Sequence, residues 1–296
     1  MNAKTQTAAP DQAALISLAV LTLIWGYNWV VMKLALQYAG PFVFAASRTA
    51  LGGACLLLLL LLARKPFWPT QPARALLLGL FQTTLFIGLV CWALESGHAG
   101  KSAVLAYTMP FWVILLAPFT LGERLRGTQW AAVGLAFCGL LLIFSPWQHS
   151  PDLFSSLLAL LAGMAWGVSV IIAKKTPVRG TWDLLSLTGW QMLMGAVPLA
   201  VIAWLVPSPP VHWNFTYAWT LFYNVVPANA LAWALWLFVV GRLSATLSGL
   251  ASLASPVVGV LTGWLQLGER PAPSVMGGML LVFVALGVLT LGARRR

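Results

Sequence analysis

Polar residues interrupt the chain about every twenty positions, and between the interruptions the residues are apolar almost without a break. About 20 consecutive apolar residues let an α-helix cross the hydrocarbon core of a bilayer. The pattern predicts ten such helices, near 13–33, 41–63, 75–94, 102–121, 128–145, 153–173, 183–205, 216–240, 244–266 and 274–292. Most gaps are short and hold proline, glycine or charge. The weakest break, at 241–243, rests on Arg242, because a guanidinium is expensive at membrane depth.

Composition agrees with that pattern: 60% of the residues are hydrophobic, 8% are charged and the mean hydropathy is +0.88. A soluble domain carries about a quarter charged residues. A chain so poor in polar groups cannot cover a water-facing surface, whereas lipid tails accept the surface it has. The net charge of +11 does not indicate nucleic acid, since the basic residues lie in the short gaps and not on one solvated face. With the N-terminus in the cytoplasm, thirteen of the 17 Lys and Arg fall on the cytoplasmic side. Lys33, Lys101 and Arg270 fall on the other side, and Arg48 lies inside helix 2. That bias predicts two cytoplasmic termini, a polar tail over 1–12 and a basic tail over 293–296. Cys55, Cys91 and Cys138 sit in apolar stretches without metal-ligand spacing, so they read as buried free thiols, with no metal or cofactor implied.

The tetrapeptide Leu-Gly-Glu-Arg occurs at 121–124 and again at 267–270, an offset of 146. Pro110 and Pro256, and Ser102 and Ser248, share that offset. Trp25-Gly26 matches Trp166-Gly167 and Lys33 matches Lys174 at an offset of 141. The chain therefore divides into two five-helix repeats, 13–145 and 153–292. Five is odd, so the second repeat must lie upside down relative to the first. The expected fold class is an all-α membrane protein of ten transmembrane helices in an inverted 5+5 arrangement. Both halves lie in one chain, so a monomer is sufficient.

The stretch IWGYNWVVMK (24–33) resembles the first-helix signature of EamA-type proteins of the drug/metabolite transporter superfamily. The stretch SAVLAYTMPFWVILLAPFTLGERLRGTQWAAVGLAFCGLLLIF (102–144) resembles that family's fourth and fifth helices, and the likeness extends over both halves. The Trp-rich character is most similar to the family's aromatic amino-acid exporters. The resemblance implies a pseudo-twofold axis in the membrane plane, a central substrate cavity and export of small metabolites from a bacterial cytoplasm across the inner membrane. Helix 6 departs from the pattern by placing Ser169 where helix 1 has Asn28.

Transport needs polar groups at membrane depth, where they persist only against a cavity or a neighbouring helix. Candidate cavity residues are Trp25, Asn28, Gln82, Tyr107, Trp112, Trp166, Ser169, Trp190, Gln191, Asn224, Asn229, Trp233 and Ser252. Small polar residues also glue helices together, and buried tryptophans also simply pack. Arg48 can take a substrate carboxylate, snorkel to the outer interface or hold a structural hydrogen bond. Pro110 and Pro256 interrupt helices 4 and 9 and are candidate hinges for alternating access. In the repeated turn, Glu123 and Glu269 are placed to favour the N-terminus of the following helix, with Arg124 and Arg270 neutralising them.

All six acidic residues map to tails, loops or helix ends, which disfavours proton antiport through a buried carboxylate. The reading is a facilitative exporter of small metabolites, with amino acids, aromatic ones included, as substrates. Efflux of planar organic cations is the alternative within transport. An intramembrane enzyme would need a catalytic cluster at depth, and the sequence shows none.

Overall fold

The computed structural model describes residues 12–122, 127–144, 152–176, 179–240, 242 and 254–293, and every regular element among them is helical. Helix α1 spans Gln12–Ala35 and α2 Pro41–Leu62. The third stretch is composite: α3 (Pro72–Leu78), a π-helical segment (Gly79–Leu85) and α4 (Phe86–Ser96). The fourth is α5 (Ala99–Ala106) followed, after a break at Tyr107–Thr108, by α6 (Met109–Leu121). Then come α7 (Gly127–Phe144), α8 (Leu153–Lys174) and α9 (Thr181–Leu205). A second composite stretch joins α10 (Phe215–Val225), a π-helical segment (Val226–Leu231) and α11 (Ala232–Val240). Helices α12 (Ala254–Leu267) and α13 (Pro273–Ala293) follow. The seven stretches through α9 are each long and apolar enough to cross a membrane.

Local chemistry sets the ends. Pro41, Pro72 and Pro110 occupy first turns, where the missing N–H costs no hydrogen bond. Asn214 caps α10 by accepting from the Tyr217 amide at 2.8 Å. Gly122 and Gly268 leave their helices at φ 67° and 69°, a left-handed conformation that glycine adopts without steric penalty. The first-turn place of Pro110 corrects the expectation that it interrupts a continuous helix 4: the helix is already broken at Tyr107–Thr108, and the proline starts its second half.

The core is apolar, but polar side chains are buried within it and many large apolar ones are exposed. Phe119, Trp204 and Phe215 are more than four-fifths exposed, whereas Asn28, Arg48, Gln191, Asn224 and Asn229 are buried. Large apolar side chains face outward to lipid, and the polar ones are held between helices. Cys138, expected to be buried, is exposed on α7, Cys55 is half-buried and Cys91 is buried.

Helix α2 packs along α9, and α7 along α13. Helix α1 packs on α12, and α8 on α5 and α6. Without water, packing at close range replaces the hydrophobic drive between helices, so small residues sit at the crossings. A Cβ on Gly26 would lie 2.5 Å from Val258 Cβ and 2.7 Å from the Ser255 carbonyl. A Cβ on Gly167 would lie 2.8 Å from Trp112 Cβ and 3.3 Å from the Met109 carbonyl. The glycines are 141 positions apart, and their partners, 109 with 255 and 112 with 258, are 146 apart. The α7–α13 crossing uses a reciprocal pair: a Cβ on Gly278 would lie 2.5 Å from the Gly139 carbonyl, and one on Gly139 2.7 Å from the Gly278 carbonyl.

Gly278→Leu is therefore expected to force α7 and α13 apart, at a cost of about 1–3 kcal/mol for overpacking. Thermal unfolding of the detergent-purified protein checks this against Gly134→Ala, whose site is open and whose added methyl favours helix. Equal melting of the two variants would contradict the close crossing.

Candidate functional site

Three groups of polar and aromatic side chains lie inside the bundle. The first surrounds Trp25 on α1. Its indole N–H donates to the Ala228 carbonyl at 3.1 Å, and its ring lies 6.3 Å from Trp233 and 6.0 Å from Trp236. Ala228 belongs to the π-helical segment that holds Pro227. A π segment shifts the backbone hydrogen-bond register and a proline removes a donor, so a side chain from α1 serves a carbonyl there.

The second group surrounds Trp166 on α8. Phe86 lies 5.0 Å and Tyr107 5.3 Å from its ring, the latter edge-on. Tyr107 sits at the α5–α6 break, with its hydroxyl toward Ser255. The break places irregular backbone inside the bundle, which membrane proteins tolerate where it is buried in protein or lines a cavity. Thr108 secures it by donating its hydroxyl to the Leu105 carbonyl at 2.6 Å.

The third group is polar. Arg48 on α2 is buried, its Nη1 lies 2.9 Å from Met32 Sδ, and Cys91 is its other side-chain neighbour. Asn229 Nδ2 donates to the Arg48 carbonyl at 3.5 Å and rests on Gly52. Asn224 donates to the Thr220 carbonyl of its own helix at 2.9 Å. Four buried polar atoms have no hydrogen-bond partner among the described residues: Arg48 Nε, Asn28 Oδ1, Asn224 Oδ1 and Ser255 Oγ. Such groups cost about 1–3 kcal/mol each when left unsatisfied.

The other sequence candidates lie elsewhere. Trp190 stacks on Trp68 at 4.7 Å and donates to the Phe67 carbonyl at 2.9 Å, which ties down the α2–α3 loop. Ser169 bonds back to the Trp166 carbonyl at 2.7 Å within its own helix. Gln191 is buried on α9, where its carbonyl abuts Gly79 of the first π segment. Gln82 is half-buried in that segment, and Trp112 packs on Gly167. Pro256 is buried near the start of the described part of α12. Ser252, Glu123 and Arg124 lie outside the described residues.

One end of the bundle concentrates charge. Glu269 accepts from the Ala99 amide at 2.9 Å and the Gly100 amide at 3.3 Å, so it caps α5. This corrects the expectation that it serves the helix that follows it, because the carboxylate reaches across to another helix start. Favourable interaction with the positive end of that helix is the same in kind. Lys33, which the sequence offered as an orientation signal and as a repeat match to Lys174, donates to the Leu94 and Glu95 carbonyls at 2.7 and 3.3 Å and closes the C-terminal end of α4. His98 and Asp152 approach to 3.1 Å. A cleft of about 220 Å³ there is bordered by His98, Lys101, Asp152, Glu269 and Arg270. A larger crevice of about 520 Å³ runs between α2, α4 and α9, lined mainly by apolar groups such as Phe42, Leu89, Trp92 and Leu199. Neither is lined by the three internal groups. No cluster of metal-ligating side chains is found among the described residues.

The sequence profile of the EamA-like transporter family matches residues 12–145 and again residues 153–291. The chain is 27% identical over 288 residues to a protein of Bacillus subtilis named "Uncharacterized transporter YoaV", covering 95% of this chain and 98% of that one. It is 28% identical to a "Probable amino-acid metabolite efflux pump" of Escherichia coli, covering 94% of each. A crystal structure superposes with a TM-score of 0.63 at 20% identity, over 97% of this chain and all of that one, a likeness of fold.

Glu269→Ala should lower stability by about 0.5–2 kcal/mol, the usual loss for a helix cap, and Glu269→Gln by less. Thermal unfolding in detergent measures both. Full stability in Glu269→Ala would remove the cap from the account.

Proposed function

Because the chain belongs to the EamA-like transporter family, we propose that it exports amino acids and related small metabolites by alternating access between two inverted five-helix halves. The observation that carries this reading is the interior of the bundle. It holds paired aromatic groups around Trp25 and Trp166 and, beside them, uncharged amides with a single arginine. No carboxylate is paired with that arginine among the described residues. Such an interior suits zwitterionic solutes with flat or apolar side chains.

Several contacts support the inverted arrangement. The two π-helical segments, Gly79–Leu85 and Val226–Leu231, lie about 146 positions apart. Thr83 of the first rests on Gly195 of α9, and Asn229 of the second rests on Gly52 of α2. The glycine pairs Gly26 with α12 and Gly167 with α6 repeat the relation. Ten spans, with the two ends of the chain in the cytoplasm of a bacterial inner membrane, accord with the distribution of Lys and Arg. The lack of a buried acid among the described residues favours facilitated movement down a gradient over proton antiport.

Counterflow in proteoliposomes tests the reading, with radiolabelled Trp, Phe, Thr and Met beside methyl viologen, at zero and imposed proton gradients. Amino-acid counterflow without a proton requirement is expected. Movement of the planar cation alone would overturn the substrate class in favour of cation efflux. A single introduced cysteine near each terminus, probed with a membrane-impermeant thiol reagent in intact cells, should stay unlabelled; labelling would reverse the orientation.

A further inference from the structure

We propose that Arg48, Asn28 and Asn224 form the site that holds the charged end of the substrate. In this site Arg48 takes the α-carboxylate and the two asparagine oxygens take the α-ammonium. The inference rests on the amino-acid reading above and deepens it.

Independent contacts on either side of each residue set the three on adjoining helix faces. On α1, Trp25 meets the Ala228 carbonyl and Met32 meets the Arg48 guanidinium, so both ends of one helical stripe are fixed. Asn28 lies between them, three residues after Trp25 and four before Met32, a spacing that keeps all three on one face. The seam between α2 and the composite stretch at 215–240 is also fixed at both ends. Phe44 meets Tyr217 with ring centroids 6.4 Å apart, and Gly52 meets Asn229. Arg48 lies one turn beyond Phe44 and one before Gly52, and Asn224 lies two turns beyond Tyr217.

Burial and chemistry make the combination unusual. Arg48 is 4% exposed, Asn28 7% and Asn224 0%. An arginine at mid-helix is expensive to bury in a membrane, and thioether and thiol sulfurs are weak acceptors. Within these three residues the unpaired atoms are one donor, Arg48 Nε, and two acceptors, Asn28 Oδ1 and Asn224 Oδ1. A carboxylate is the acceptor that such a donor lacks, and a guanidinium meets it through a fork of N–H groups. An ammonium carries three donors and no acceptor, which matches two orphaned amide oxygens. The zwitterionic head of an amino acid therefore supplies both missing partners at once.

The test uses the full-length protein in proteoliposomes. Counterflow of each of Trp, Phe, Thr and Met is measured against competition by the same amino acid, by its amide, which lacks the carboxylate charge, and by the deaminated acid, which lacks the ammonium. In the wild type, amide and deaminated acid are expected to compete at least tenfold more weakly than the amino acid. Arg48→Gln should raise the half-saturating amino-acid concentration at least tenfold and abolish the difference between amino acid and amide, with Arg48→Lys intermediate. Asn28→Ala should weaken discrimination against the deaminated acid. An amide that competes as well as its amino acid in the wild type overturns the proposal, and that comparison needs no variant to fold. So does an Arg48→Gln protein with an unchanged half-saturation. Those results leave amino-acid transport standing, whereas a wild type that moves none of the four amino acids removes the functional reading and this site with it.

Discussion

A chain in hydrocarbon has no water to satisfy a stray backbone group, so each departure from regular helix must be answered by a neighbour. The described bundle departs most in three places: the π segments at Gly79–Leu85 and Val226–Leu231, and the break at Tyr107–Thr108. Side-chain donors secure each: Trp25 of α1 donates to the Ala228 carbonyl in the second π segment, Thr84 of the first π segment donates to the Gly195 carbonyl of α9 at 2.8 Å, and the Thr108 hydroxyl at the break donates to the Leu105 carbonyl. These answers also set which helices touch, because a donor must come close to serve a carbonyl. Gly195 and Gly52 lie where that approach leaves no room for a Cβ.

Much of this was legible in the sequence where it depends on length and composition. Apolar runs marked the helices to within a few residues, as with Pro41–Leu62 and Leu153–Lys174. The Leu-Gly-Glu-Arg repeat marked two glycines that leave helices with positive φ. What the sequence hid depends on pairing across the fold. Nothing in a local pattern says that Glu269 serves α5, that Lys33 closes α4, or that Trp190 of α9 ties down the α2–α3 loop. The π segments were hidden as well, since Gly79–Leu85 holds no proline and the register change costs only one displaced hydrogen bond. Pro110 misled for a related reason: a proline within an apolar run implies an interrupted helix, but the same residue is neutral once the chain breaks two residues earlier.

Membership of the EamA-like family explains why polarity is concentrated inside the bundle. A lipid-facing exterior tolerates Phe119 and Trp204 at high exposure, and the interior keeps the amides and Arg48 from the lipid. The interior also holds aromatic groups around Trp25 and Trp166. Trp25 is fixed by a hydrogen bond, whereas Trp166 is held by ring contacts, so two positions of similar origin are secured by different means.

That difference has a consequence for ancestry. On the inverted-repeat reading, the correspondence of Gly52 with Gly195 pairs Arg48 with Gln191. A homodimer of identical halves would have placed two guanidinium groups in the same buried core. Like charges at close range in a low dielectric repel by several kcal/mol. With both halves in one polypeptide the two positions are free to differ, and here they hold arginine and glutamine. Such an asymmetry is open to two halves of different sequence and closed to two interchangeable copies.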